Sequence, residues 1–228
     1  MNRRILSVLL LASLLCALMF ILSGCNGMQS LSAWRLPTST QNKTQPDGNV
    51  GRYAGSYDTP SGRPADFQEF KKRYASVGAS PEGAVRMYFD ALYSYIDPAR
   101  KTEGAKMLRY SLHQGLHWEK SPVWATFMSR LDQSSYHYIF RSFAKGTSPE
   151  NNYVMDPDNY QLMVVATRQE TDYVYISIRS SGADSPRPLH VQQFEDGLWY
   201  VINNHGTYSD IRTPSNQIRR GGHDADMD

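Results

Sequence analysis

Apolar residues recur along this chain at two different spacings. Between residues 64 and 131 they fall three and four apart, the period of a helix with one buried face. Pro64 opens a short helical stretch with Phe67, Phe70 and Tyr74 on one side and Lys71, Lys72 and Arg73 toward its C-terminal end. Ser80 is suited to cap the next helix, with Pro81 at its first position and Glu82 adding early negative charge. Val85, Tyr88, Phe89, Leu92, Tyr95 and Ile96 mark its face, and Asp97-Pro98 stops it. Thr102 is the expected cap of another helix, with Met107, Leu108, Ser111 and Leu112 inward and Gly115 near its end. Ser121-Pro122 repeats the cap-plus-proline start, followed by Val123, Trp124, Phe127, Met128 and Leu131.

Beyond 135 the pattern shifts toward alternation, the period of a strand. Tyr136, Tyr138 and Phe140 alternate with His137, Ile139 and Arg141, which predicts a first strand over 136–143. The runs 160–167 and 173–180 follow, then Leu189–Phe194 and Leu198–Ile202 joined by the hairpin signal Glu195-Asp196-Gly197. Pro186 and Pro188 keep the intervening 180–188 segment out of any central strand. The expected class is α+β: three N-terminal helices packed on a curved antiparallel sheet, because helices of this kind need an apolar surface to cover.

Composition narrows the picture. With 40% hydrophobic and 20% charged residues, the chain is globular in type. Its net charge is +2, and setting aside Arg3 and Arg4 of the leader leaves 22 basic against 22 acidic residues. No basic stripe favours nucleic acid, so no nucleic-acid partner is expected. Cys16 and Cys25 both precede the globular part, which rules out disulfides, thiolate metal sites and Cys nucleophiles within it.

The leader carries the most specific motif. Met1–Arg4 is a short positive start, and Ile5–Leu22 is an almost unbroken apolar run that ends in Leu22-Ser23-Gly24-Cys25. A retained anchor helix is the alternative on length alone. The ending resembles the lipobox of bacterial lipoproteins, which implies cleavage before Cys25 and its lipidation. Attachment to the membrane by that lipid anchor is then expected, since two or three acyl chains hold stably where one does not. Asn26, rather than Asp, after the cysteine implies by the same resemblance the periplasmic face of the outer membrane in a Gram-negative cell. The division expected is 1–24 signal peptide, 25–63 lipidated Cys and tether, 64–211 the folded domain, and 212–228 a disordered tail. The tether is rich in Ser, Thr, Gln, Asn, Gly and Pro, and random-coil scaling gives it a reach of about 30–35 Å.

Helices followed by a meandering sheet, with Asp196-Gly197-x-Trp199 in the last hairpin, resemble the NTF2-like superfamily over about Ser80–Ile211. The resemblance implies a bent sheet curled around helices into a cone-shaped pocket. The segment Ser-Ser-Gly-Ala-Asp-Ser-Pro-Arg-Pro at 180–188 looks like that of an uncharacterised lipoprotein family placed in the superfamily. Enzymes of this superfamily often use an Asp–His or Tyr–Asp pair deep in the cone, and Asp90, His137 and His190 are the candidates here, Asp90 lying close to a helix boundary. The plain alternative for both histidines is a half-buried strand residue with one hydrogen bond. His113 and His117, four apart with Glu119 nearby, are the candidate metal ligands, although Gly115 between them argues for a helix end.

The 180–188 loop is the preferred binding element, with Ser181, Asp184, Arg187 and the neighbouring His190 as its groups. Two prolines pre-order it, and Arg187 offers a fork for a carboxylate or phosphate. Alternatively, Asp184 and Arg187 pair with each other and cap strand ends. No phosphate loop, nucleophile elbow or calcium loop is present in the sequence. The expected role is a non-catalytic binding or assembly module at the cell envelope that needs no cofactor and contacts an envelope protein partner. A small-ligand pocket protein and an isomerase or dehydratase are the alternatives.

Overall fold

The computed structural model describes residues 62–218. The leader, Cys25, the tether before Gly62 and the tail after Ile218 lie outside them. The described chain is α+β, with five α-helices and an open four-stranded antiparallel sheet in the order β1-β2-β3-β4.

Helix α1 spans Phe67–Val77 and starts later than Pro64, because the Asp66 carboxylate accepts from the Gln68 and Glu69 amides. Helix α2, Pro81–Tyr95, starts where the sequence indicates: Ser80 Oγ accepts from Gly83 N, and Pro81 sits at the first position. It is the central helix of the described domain, since every residue from Gly83 to Tyr95 except Arg86 is buried. Helix α3, Lys101–Ser111, has Arg100 at its cap position and no side-chain cap. Thr102 is therefore not the cap, and lies exposed inside the helix. Gly104 lets α3 settle against α2; a Cβ there would lie 2.6 Å from Tyr95 Cα. Helix α4 is Ala125–Asp132, with Phe127 and Leu131 buried.

The expected strand at 136–143 is a correction. Ser134–Tyr136 forms a 3-10 turn and His137–Arg141 a short helix, α5. Ile139, Phe140 and Phe143 are all buried, a spacing of one, three and four that a strand cannot direct to one side. The first strand instead comes after the long loop.

Strands β1 (Val164–Gln169), β2 (Val174–Ile178), β3 (Arg187–Gln193) and β4 (Trp199–Asn203) form an antiparallel meander. Central strand β3 takes in Arg187 and Pro188, which corrects the expectation that all of 180–188 stays outside such a strand. Pro188 lies opposite Ser177, whose backbone turns toward β1, so its missing N–H loses no bond to β2. The β3–β4 hairpin closes at Gly197, whose φ of 78° suits the turn, and Asp196 Oδ1 accepts from Leu198 N at 3.0 Å. The ladders carry register breaks between Val164 and Ala166 and between His190 and Val191. Val174, Ile176, Ile178, Leu189, Val191 and Val201 are all buried and form its core face.

The two edges of the sheet differ. At β4, Trp199 N donates to Gly78 O at 2.8 Å, and Tyr74 Oη donates to Trp199 O at 2.6 Å, so the end of α1 covers that edge. At β1 all six residues are exposed.

The ends of the domain are clasped to its body. Arg63, placed by sequence in the tether, is buried. It donates to Asp158 Oδ1 at 2.9 Å, Tyr93 O at 2.9 Å and Asp97 Oδ2 at 3.2 Å. Past residue 211, where a loose tail was expected, Arg212 O accepts from Tyr153 Oη at 2.7 Å and Ser215 N donates to Pro149 O at 2.9 Å.

Candidate functional site

The interior between helices and sheet is where a pocket of the expected kind would open. Tyrosine side chains of α2 and its neighbours fill it, with their hydroxyls spent on the protein. Tyr88 Oη meets Thr207 Oγ1 at 3.0 Å and accepts from Asn204 Nδ2 at 3.1 Å. Tyr93 Oη donates to Phe140 O, and Tyr200 Oη donates to Asp196 Oδ2 at 2.6 Å. Burial raises the phenols of Tyr74, Tyr88 and Tyr93 well above their usual range, so they act as neutral donors and packing groups.

Asp90 lies within this interior, in mid-helix rather than at a helix boundary, and is 1% exposed. Its partners are Arg86, one turn earlier, with Nε 3.2 Å from Oδ1, and Tyr160, whose hydroxyl donates at 2.7 Å. Arg86 also lies 3.8 Å from the centre of the Tyr160 ring and donates to Tyr160 O at 3.0 Å. Burial pushes the Asp90 carboxyl up, and the Arg86 cation and the Tyr160 hydroxyl offset this in part. Burial works against the Arg86 charge too, but the Tyr160 and Asp90 oxygens outweigh it, so the guanidinium stays charged. The cluster tethers α2 to the chain just ahead of the sheet. Sequence reading singled out Asp90 and missed both partners; Arg86 was visible as an i, i+4 ion pair, while Tyr160 is 70 residues away.

The histidines proposed beside Asp90 sit elsewhere. His137 begins α5 rather than lying on a strand, and its Nε2 meets Leu131 O at 2.8 Å. Burial lowers its pKa. His190 is on the outer face of β3, stacked 4.4 Å from the Tyr173 ring. Burial lowers its pKa as well. The three groups occupy three separate environments and form no dyad.

His113 and His117 lie beyond a helix end, the alternative that Gly115 favours, and not on a shared ligand platform. Helix α3 ends at Ser111, and both histidines have positive φ, 50° and 63°, so they share no helix face. His113 packs 3.9 Å from the Phe194 ring, while His117 is exposed, with Nδ1 3.9 Å from Glu119. Among the described residues no cluster of three or more His, Cys, Asp or Glu side chains is placed to hold a metal ion.

The 180–188 loop is built into the fold by the groups the sequence offered to a ligand. Ser180 Oγ meets Ser142 Oγ at 2.7 Å, and Ser181 Oγ meets Thr147 Oγ1 at 2.9 Å and donates to Ser142 O at 3.0 Å. Asp184 pairs with Arg212, and Arg187 Nη2 donates to Asp210 O at 2.6 Å. Asp184 and Arg187 therefore pair with the C-terminal segment and not with each other. Arg187 Nε is buried without a hydrogen-bond partner.

The open surface is at β1. Glu170 N donates to Tyr173 O at 2.9 Å, and the alternation of an antiparallel ladder then turns the backbone of Thr167 and Gln169 away from β2. Among the described residues no strand pairs with that outer edge, and its one side-chain tie to α2 is Thr167 Oγ1 donating to Glu82 Oε1 at 2.9 Å. Val164 and Val165 are 37% and 36% exposed. On the outer face beside it, Arg168 lies 4.8 Å from the centre of the Tyr175 ring, next to the Tyr173–His190 stack. The sequence showed a strand here but gave no sign that its second edge is free.

No helix among the described residues is long and apolar enough to cross a membrane. Neither the curated proteins nor the solved structures compared with this chain give a match. A family model does match residues 63–215, about two-thirds of the chain and nearly all of the described domain, and the protein accordingly belongs to the family described as a domain of unknown function, DUF6935.

Proposed function

We propose that this protein is a lipid-anchored, non-catalytic assembly module of the bacterial cell envelope, which holds another envelope protein by adding that partner's strand to β1. The observation that carries the proposal is the contrast between the two edges of the sheet. The α1 terminus closes the β4 edge, whereas β1 is exposed on both faces and turns unpaired backbone groups outward. Folded proteins usually blunt such an edge, because it is a template for another strand. The proposed fold is an NTF2-like cone whose interior Tyr74, Tyr88, Tyr93 and Tyr160 close, leaving the outside of the sheet as the working surface. The anchor is Cys25 of the Leu22-Ser23-Gly24-Cys25 motif, and Asn26 favours the periplasmic face of the outer membrane where there is one.

Two measurements test this. Replacing Cys25 by Ser should abolish labelling by a fatty-acid analogue and leave the leader uncleaved; a variant still lipidated and processed would refute the anchor. For the edge, a photo-crosslinker at Val165 in intact cells should capture a discrete envelope protein, and one at Ser181 should not. Thr167→Pro removes an outward N–H without touching the β1–β2 ladder, so it should erase that crosslink while the fold survives. A crosslink unchanged by Thr167→Pro would refute strand addition.

A further inference from the structure

A half-open cleft of about 290 Å³ lies where α4, the 134–136 turn, α5 and the segment after β4 meet. Its lining includes Arg130, Tyr136, Tyr138, Tyr208, Asp210 and Ile211. The volume is near the lower end of the roughly 300–1,000 Å³ common for small-molecule sites.

Three features of the lining point to a ligand. The Arg130 guanidinium carbon lies over the Tyr136 ring, 3.9 Å from its centre, a cation–π contact that holds the group at the cleft while its N–H donors stay available to an acceptor. Among the described residues Arg130 has no carboxylate within 4.0 Å, and the Tyr136 and Tyr138 hydroxyls have no hydrogen-bond partner. Opposite in charge, Asp210 lies exposed on the same cleft. Its backbone is held at a φ of 51° while its carbonyl accepts from Arg187 Nη2. The cleft thus presents a cation and an anion that do not pair with each other, alongside the Tyr138, Tyr208 and Ile211 side chains.

We propose that this cleft binds a zwitterion of amino-acid size with an apolar side chain: the ligand carboxylate on Arg130, its ammonium on Asp210, and its side chain against Tyr138, Tyr208 and Ile211. A simple anion would meet Asp210 and a simple cation would meet Arg130, so each lone charge faces one repulsive wall. A molecule carrying both charges satisfies both. The site is separate from the β1 edge and does not depend on it.

The test uses three probes on the intact chain: phenylalanine, N-acetylphenylalanine, which lacks the ammonium, and phenylalaninamide, which lacks the carboxylate. Ligand-observed NMR titration should give saturable phenylalanine binding, with each capped probe weaker by about tenfold for the lost charge-assisted contact. Arg130→Gln should bring phenylalaninamide level with phenylalanine, and Asp210→Asn should do the same for N-acetylphenylalanine. No saturation by about 10 mM phenylalanine, or equal affinity for all three probes, overturns the proposal. So do variants that are folded by circular dichroism and keep the wild-type ranking. The comparison among probes on the unmodified protein decides the matter even if a variant does not fold.

Discussion

Replacing Arg86 by Met gives the sharpest test of the buried cluster. The substitution keeps most of the side-chain volume and removes the cation 3.2 Å from Asp90, whose side chain is only 2% exposed. A carboxylate left alone in that position takes up a proton instead of remaining charged. Against an unfolded-state pKa of about 3.9, holding Asp90 neutral at pH 7 costs at most about 4 kcal/mol; at pH 5 the same requirement costs about 1.5 kcal/mol.

The sign follows from the direction of the shift. Burial already raises Asp90 in the parent, and the variant, without the Arg86 offset, raises its folded-state pKa further above the unfolded value, so the group favours folding in acid and that contribution is lost as pH rises through the folded pKa. Relative to the parent protein, Arg86→Met should therefore lose more stability at pH 7 than at pH 5. Urea unfolding followed by tryptophan fluorescence at pH 5, 6 and 7 measures the difference. Arg86→Met combined with Asp90→Asn should recover most of the loss at pH 7, because the amide still accepts from Tyr160. Equal destabilisation across the pH range, or no recovery in the double variant, would refute the assignment of Asp90 as a sequestered structural carboxylate.

Gly104→Ala should cost about 2 kcal/mol despite the gain of about 1 kcal/mol in helix propensity, because the added methyl meets the Ser94–Tyr95 backbone. Gly115→Ala, with nothing within 4 Å, is the control that should be neutral or stabilising; equal urea midpoints for the two would contradict the close α2–α3 approach. Burial lowers the His137 pKa in the fold, so its protonation opposes folding as pH falls below the ordinary histidine range. His137→Gln should flatten that acid slope, and an unchanged slope in thermal unfolding would remove His137 as its source.

The sequence was most legible where local chemistry decides the outcome. Ser80 and Pro81 start α2 in the structure because cap and ring constraints act within one turn, and Asp196-Gly197 closes the last hairpin for the same reason. The 136–143 segment carried two periods at once. Tyr136, Tyr138 and Phe140 alternate, yet Tyr136, Ile139, Phe140 and Phe143 also fit a helix, and packing of Phe140 against Phe127 accords with the second. Arg63 reads in sequence as part of a polar tether because nothing nearby reveals Asp97 and Asp158. Asp90 reads in sequence as a boundary residue because its flanking residues say nothing of Tyr160. The loop at 180–188 looked like a ligand site, since hydroxyl and charged groups read identically whether their partners are foreign or, as with Ser142, Thr147 and Arg212, internal.

The Arg63 clasp has a mechanical consequence. A pull on the chain ahead of Gly62 arrives first at a side chain gripping the end of α2 through Tyr93 O and Asp97, and the stretch before β1 through Asp158. Those bonds join segments far apart in sequence, so the load passes to the end of α2 and the 158 loop together instead of peeling α1 away turn by turn. A domain strung from its N-terminal side would meet tension at its middle, and α1 with the sheet edge it covers would remain seated.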